Sequence, residues 1–101
     1  MFKNMDQILR QAQAMQEKLK RELEEMSVEG SSGGGMVTVQ MTGNKMVTNV
    51  KIDPEVVDPN DVEMLQDLIT AALNETSRKV DEETQRRLGS MAGGLRIPGL
   101  F

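Results

Sequence analysis

The ionisable side chains of this 101-residue sequence are carboxylates, lysines and arginines, because histidine, cysteine and tyrosine are all absent. Those absences exclude thiolate and imidazole metal ligands, cysteine nucleophiles, histidine bases and disulfides. The carboxylates that remain, such as Asp81-Glu82-Glu83, stand in solvated runs beside cations, which favours neither an oxygen-ligand metal site nor an acid/base pair. The sequence therefore predicts no catalytic residue, no metal, no cofactor and no enzymatic activity.

The basic residues are the other candidates for chemistry, as contacts to phosphate groups. Lysine and arginine number 12 against 16 acidic residues, and the net charge of −4 repels nucleic acid and anionic membranes at long range. Binding of nucleic acid would need local basic patches. Many of the cations also have an acidic residue four positions away, as in Glu17/Arg21 and Arg78/Glu82, a spacing typical of a solvated helix surface.

The glycine-rich segment Gly30–Gly35 resembles a phosphate cradle only in composition. A P-loop requires Gly-Lys-Ser/Thr leading into a helix, whereas these glycines lead into Met36-Val37-Thr38-Val39, which alternates like a strand. We interpret the segment as a flexible hairpin connection that follows a short strand near Val28.

Hydrophobic periodicity predicts the elements that position these groups. A stripe at helical spacing predicts a helix of about 22 residues from Met5 to Met26. Val37, Val39 and Met41 alternate in one strand and Met46, Thr48, Val50 and Ile52 in the next, with Gly43-Asn44 as residues that tolerate positive φ in the turn. Asp58 as N-cap with Pro59 at the first position predicts a second helix of about 29 residues, unbroken before Gly89.

The length fits one domain over residues 1–101, ending in a Gly-rich tail at residues 90–101. The tail has no helical or strand period, so it is expected to be mobile. The alternative is that its apolar residues dock on the body or on a partner chain: Leu95, Ile97, Leu100 and Phe101. No apolar run of membrane-spanning length and no secretion signal is present, which predicts a cytoplasmic protein that does not enter a membrane.

The predicted helices are too long for the predicted sheet. A strand of about seven residues spans roughly 23 Å, against about 33 and 43 Å for the helices. The overhanging parts keep apolar positions, so either the two helices pair with each other or a second subunit covers them. A sheet of two or three strands also leaves a bare edge, so a homodimer with a shared sheet and projecting helical arms satisfies both requirements.

Several segments, in order, resemble the YbaB/EbfC family of bacterial nucleoid-associated proteins. They are Gly33–Val39, Gly43, Val50–Glu55, Asp61–Asn74 and Gly93–Phe101, and together they cover essentially the whole chain. The resemblance implies an α+β homodimer: a long helix, a β-hairpin or three-stranded antiparallel meander, and a second long helix, with one shared sheet and arms that protrude like tweezers.

The resemblance also implies a function, namely binding of double-stranded DNA and alteration of its conformation. Associated roles are nucleoid organisation, gene regulation and DNA protection, with localisation in the cytoplasm and nucleoid. If the arms hold DNA, the expected phosphate contacts lie toward the C-terminal halves of the helices: Lys18, Lys20, Arg21, Arg78, Lys79, Arg86 and Arg87. The alternative is a non-enzymatic interaction module accessory to DNA repair or replication proteins.

Overall fold

The computed structural model describes residues 2–91. Their order is α1 (Phe2–Glu25), β1 (Val28–Ser32), β2 (Val37–Met41), β3 (Val47–Ile52), a short 3₁₀ helix (Pro54–Val56) and α2 (Val62–Met91). The strands form one antiparallel sheet in the order β1-β2-β3. The predicted α+β arrangement of helix, three-stranded meander and helix is confirmed. Neither helix contains a stretch long and apolar enough to cross a bilayer within these residues.

The core lies between the sheet and α2. Val37 and Val39, from alternate positions of β2, have no exposed surface, which is what their predicted alternation requires. On α2 the buried residues recur every fourth position, at Ala72, Thr76 and Val80, and so form one line along the helix. This line packs on β1 and β2, whereas β3, one of the two edge strands, is not covered by α2.

Helix α2 approaches the sheet closely at Gly30 of β1. A Cβ atom on Gly30 would lie 2.7 Å from the backbone N and 2.8 Å from the Cα of Thr76, so only glycine fits there. The Thr76 hydroxyl is satisfied in this dry contact because it donates a hydrogen bond to the Ala72 carbonyl at 2.6 Å. Further along β1, Ser32 Oγ donates to the Leu68 carbonyl at 2.5 Å, which makes α2 antiparallel to β1.

Within the described part of the chain, helix α1 is attached to the body only at its C-terminal end. The Gly43 amide, in the turn between β2 and β3, donates to the Leu23 carbonyl at 2.8 Å, and Met26 is buried in the core. Every residue from Asn4 to Lys18 is exposed. The predicted alternative in which the two helices pair with each other is therefore not what this chain adopts. Residues 4–18 of α1 project beyond the sheet, and the molecule is accordingly elongated, with extents of 71 × 25 × 16 Å.

The start of α2 differs from the prediction. Asp61, rather than Asp58, is the N-cap, since its Oδ1 accepts a hydrogen bond from the Met64 amide at 3.2 Å. Asp58 instead accepts from the Asn60 amide at 2.9 Å and closes a turn that contains Pro59. Two Asp residues three positions apart offered two possible starts, and the later one places Leu68 and Ala72 over the sheet.

The turn between β2 and β3 also differs from the prediction. The residue with positive φ is Lys45 (62°), and neither Gly43 nor Asn44 has one. Gly43 is needed for a different reason: a Cβ there would lie 2.9 Å from the Leu23 backbone. A bulge near Met41 pairs Met41 with Val47, so Met46 precedes β3 and does not share a face with Val50 as predicted. The turn at Gly33–Gly35, in contrast, does use positive φ at all three glycines.

Helix α2 continues through Gly89 to Met91, so the predicted end at Gly89 was wrong. A glycine within a helix costs only about 1 kcal/mol, and Gly89 does not adopt the positive φ of a helix end. Ser90 and Met91, predicted as the start of the tail, belong to this helix. The rest of the predicted tail, including its four apolar docking residues, lies outside the described residues.

Two glycine substitutions test the packing of α2 on β1. We expect Gly30→Ala to lower the free energy of unfolding by about 3 kcal/mol, because its Cβ would collide with the backbone of Thr76. Gly89→Ala is the matched control: nothing lies within 4 Å of its Cβ, and alanine should raise the stability by about 0.5–1 kcal/mol. Urea unfolding followed by circular dichroism measures both. Equal stability of the two variants would contradict the packing described.

Candidate nucleic-acid interface

Both helical overhangs leave the same end of the sheet. Helix α1 joins the body where β1 begins and beside the turn between β2 and β3. Because α2 runs antiparallel to β1, its residues beyond Val80 pass the beginning of β1 and continue outward at that end. Two helical segments therefore extend beyond this end of the sheet, α1 residues 4–18 and the last turns of α2, and we call the pair the fork.

A cleft of about 500 Å³ lies at the base of this fork. Its floor is the connection Met26-Ser27-Val28, and its α2 wall carries three of the predicted phosphate contacts, Lys79, Arg86 and Arg87, together with Glu82 and Glu83. Lys79 Nζ donates to the Glu29 carbonyl at 3.4 Å across the cleft, which holds that cation at its inner end. The structure therefore brings these three cations to one place.

The arginines of α2 are held by acidic neighbours. Arg78 bonds Glu75 at 2.8 Å and also pairs with Glu82. The hydrogen bond from Arg78 is the main reason that the pKa of Glu75 lies below its ordinary value, and the same contact raises the pKa of Arg78. All three groups are exposed, so these pairs orient side chains more than they stabilise the fold.

Glu83 holds both remaining arginines of α2. Its Oε2 accepts from Arg86 and its Oε1 accepts from Arg87 Nε at 3.2 Å. The side chain of Glu83 is only 28% exposed, against 71% for Arg86 and 42% for Arg87. One carboxylate at the cleft wall is therefore shared by two predicted phosphate contacts.

The three predicted contacts on α1 lie apart from the cleft cations. Lys20 and Arg21 border a shallow groove with Glu17 and Glu24 on the exposed surface of α1. The predicted i,i+4 pairs Lys20/Glu24 and Glu17/Arg21 are not formed in the part of the chain that the structure describes, and Lys18 likewise makes no ion pair there. These cations remain available to an external anion.

An ion pair between distant elements was missed by sequence reasoning. Lys45, which lacks a helical partner in the sequence, bonds Asp81 Oδ1 at 3.0 Å and so ties the turn between β2 and β3 to α2. The two residues are 36 positions apart, and no local pattern connects them.

Metal binding has no support in the described part of the chain, where no three carboxylates are grouped so that they could hold an ion. The expectation that the chain is not an enzyme stays a prediction.

Comparison with known proteins adds evidence of a different kind. The model of the YbaB/EbfC DNA-binding family matches residues 1–95. The chain belongs to this family. A nucleoid-associated protein of Alkaliphilus metalliredigens is 52% identical, with 97% of this chain and 89% of that protein aligned. Another from Acetivibrio thermocellus is 53% identical, with 97% and 90% aligned.

A solved structure has the same fold as this YbaB/EbfC chain. The crystal structure of an uncharacterized protein from Helicobacter pylori matches with a TM-score of 0.74 at 24% identity, covering 90% of this chain and 96% of that one. The family resemblance expected from the sequence is thus confirmed. The seven predicted phosphate contacts are not tested by any of these matches and remain predictions.

Proposed function

We propose that this YbaB/EbfC protein binds duplex DNA as a homodimer and alters the conformation of the DNA. The observation that carries the proposal is the fork: two helical overhangs leave one end of the sheet, and the cleft between α2 and the connection from α1 to β1 holds Lys79, Arg86 and Arg87. Membership of a DNA-binding family supports DNA as the ligand. The relatives named nucleoid-associated proteins support a place in the nucleoid. Roles in nucleoid organisation, gene regulation and DNA protection belong to the proposal.

The mode of binding that these residues favour is contact with phosphates. The candidate side chains are lysines and arginines on exposed helices. Aromatic residues number only 2 in the whole chain, so few side chains are available to stack on bases. Phosphate contacts carry no sequence information by themselves. The protein should therefore bind unrelated duplexes with similar affinity.

Two features support the homodimer. The outer edge of β3 has no strand partner among residues 2–91, and Val47 and Val50 on that strand are 46% and 43% exposed. The second feature is an apolar stripe on α1 that is open to solvent. Its residues Met5, Ile8, Leu9 and Met15 are each more than half exposed. We infer that a second copy pairs its β3 edge with this one and covers both surfaces, since unpaired edges and apolar stripes are otherwise prone to aggregation.

DNA binding is tested by titration of two unrelated duplexes at several salt concentrations. Each phosphate neutralised should add about −0.9 to the slope of log affinity against log salt. Arg86→Gln and Arg87→Gln should each weaken binding to both duplexes and reduce the steepness of that slope by about 1. Lys51→Gln removes the same charge from an exposed position on β3, away from the cleft, and is the control. It should leave the slope unchanged in samples whose dimer mass has been verified by sedimentation, because β3 is also the proposed dimer edge. A salt-independent affinity would contradict the proposal.

The dimer is tested on the exposed apolar surface of β3. Val50→Lys should weaken dimerisation by at least about tenfold, because a lysine on an edge strand opposes pairing with a second edge. The chain itself should keep its circular dichroism spectrum, because Val50 is already 43% exposed. Val57→Lys is the control, at a valine 54% exposed outside the strands. Sedimentation equilibrium that finds equal masses for the two variants would rule out the β3 edge as the interface.

A further inference from the structure

The carboxylate of Glu83 occupies guanidinium N–H donors of Arg86 and Arg87, two of the predicted phosphate contacts. It bridges Arg86 and Arg87 on the wall of the cleft, and it is the least exposed of the three groups. Guanidinium groups bind carboxylates and phosphates through the same fork of N–H donors. A phosphate that enters the cleft can engage these two arginines fully only if it displaces Glu83.

We propose that Glu83 is an intramolecular competitor of the DNA phosphate and sets the affinity of the arms for DNA. The inference rests on the proposed function, because it concerns the same cleft. In the free protein Glu83 occupies both arginines, and in the complex it exchanges them for phosphate oxygens. Exposed ion pairs of this kind are weak, so the exchange is reversible. In the free protein the same ion pairs keep the two arginines oriented toward the cleft.

The neighbouring carboxylates do not occupy the same position. Glu75 and Glu82 both bond Arg78, which does not line the cleft. Glu29 lines the cleft, but its side chain forms no ion pair among the described residues. Glu83 is therefore distinguished by its two arginine partners and not by its charge alone, which supplies a matched control within the same cleft.

The test compares Glu83→Gln with Glu29→Gln in titrations of the full-length protein with a duplex of mixed sequence. Both variants remove one negative charge from the cleft. Releasing two surface ion pairs should raise the affinity of Glu83→Gln about threefold to tenfold above that of Glu29→Gln at low salt. The difference should shrink as salt rises, because salt screens the ion pairs that are being replaced. Equal affinities of the two variants would overturn the proposal.

A second set of variants separates competition from a general change in charge or folding. On a background of Arg86→Gln with Arg87→Gln, the substitution Glu83→Gln should give no more than the gain of Glu29→Gln, since the arginines it would free are gone. Glu83→Ala should reproduce the gain in the unsubstituted background, which excludes an effect specific to glutamine. A gain that persists without the two arginines would overturn the proposal.

The outcome also distinguishes this inference from the proposed function. If the unsubstituted protein does not bind duplex DNA even at low salt, the proposed function fails and Glu83 has nothing to compete with. If the unsubstituted protein binds with the expected dependence on salt but Glu83→Gln matches Glu29→Gln, only the competition fails.

Discussion

The arrangement of this protein depends on the close contact between Gly30 and Thr76. The absence of a side chain at Gly30 lets the backbone of α2 approach β1, so that Ala72, Thr76 and Val80 cover Val37 and Val39. This contact fixes where α2 crosses the sheet and therefore how much of it extends beyond the beginning of β1. The cleft, and the cations of α2 that line it, take their positions from that crossing.

Helix α1 is held less firmly than α2, because among the described residues only its C-terminal end packs on the body. Leu23 and Met26 attach it to the body, whereas residues 4–18 are exposed on all sides. The radius of gyration of 19.4 Å compares with about 13 Å for a compact domain of this length. An isolated helix has little stability of its own, so α1 gains from any surface that covers its apolar stripe. A second copy of the chain supplies such a surface in the account proposed here.

The sequence predicted those elements whose signal is periodic. The alternation of Val37, Val39 and Met41 was read correctly, because their buried face imposes its period on the residues. The stripe along α1 also predicted a helix correctly, although its residues between 4 and 18 are exposed in the single chain. Its errors lie at boundaries and turns. Asp58 and Asp61 both qualify as N-caps, and Gly43 qualifies as a turn residue although its role is to admit Leu23. Such choices are decided by contacts between residues far apart in the chain, which no local pattern contains.

The candidate site was predictable as a set of cations but not as an arrangement. Spacing alone pairs Glu82 with either Arg78 or Arg86, and only the structure shows that Arg78 takes Glu82 while Arg86 goes to Glu83. The cleft depends on the chain returning from α1 into β1 beside the end of α2. That approach joins residues about 50 positions apart, as in the contact of Lys79 with Glu29.

A single copy of this chain leaves the apolar stripe of α1 and the edge of β3 uncovered among the described residues, and we infer that a second copy covers them. The mass of the protein in solution tests this inference most directly. Sedimentation equilibrium of the unsubstituted protein at low micromolar concentration should give twice the chain mass of 11.2 kDa. A stable species of 11.2 kDa with the helical content of the described fold would contradict the account.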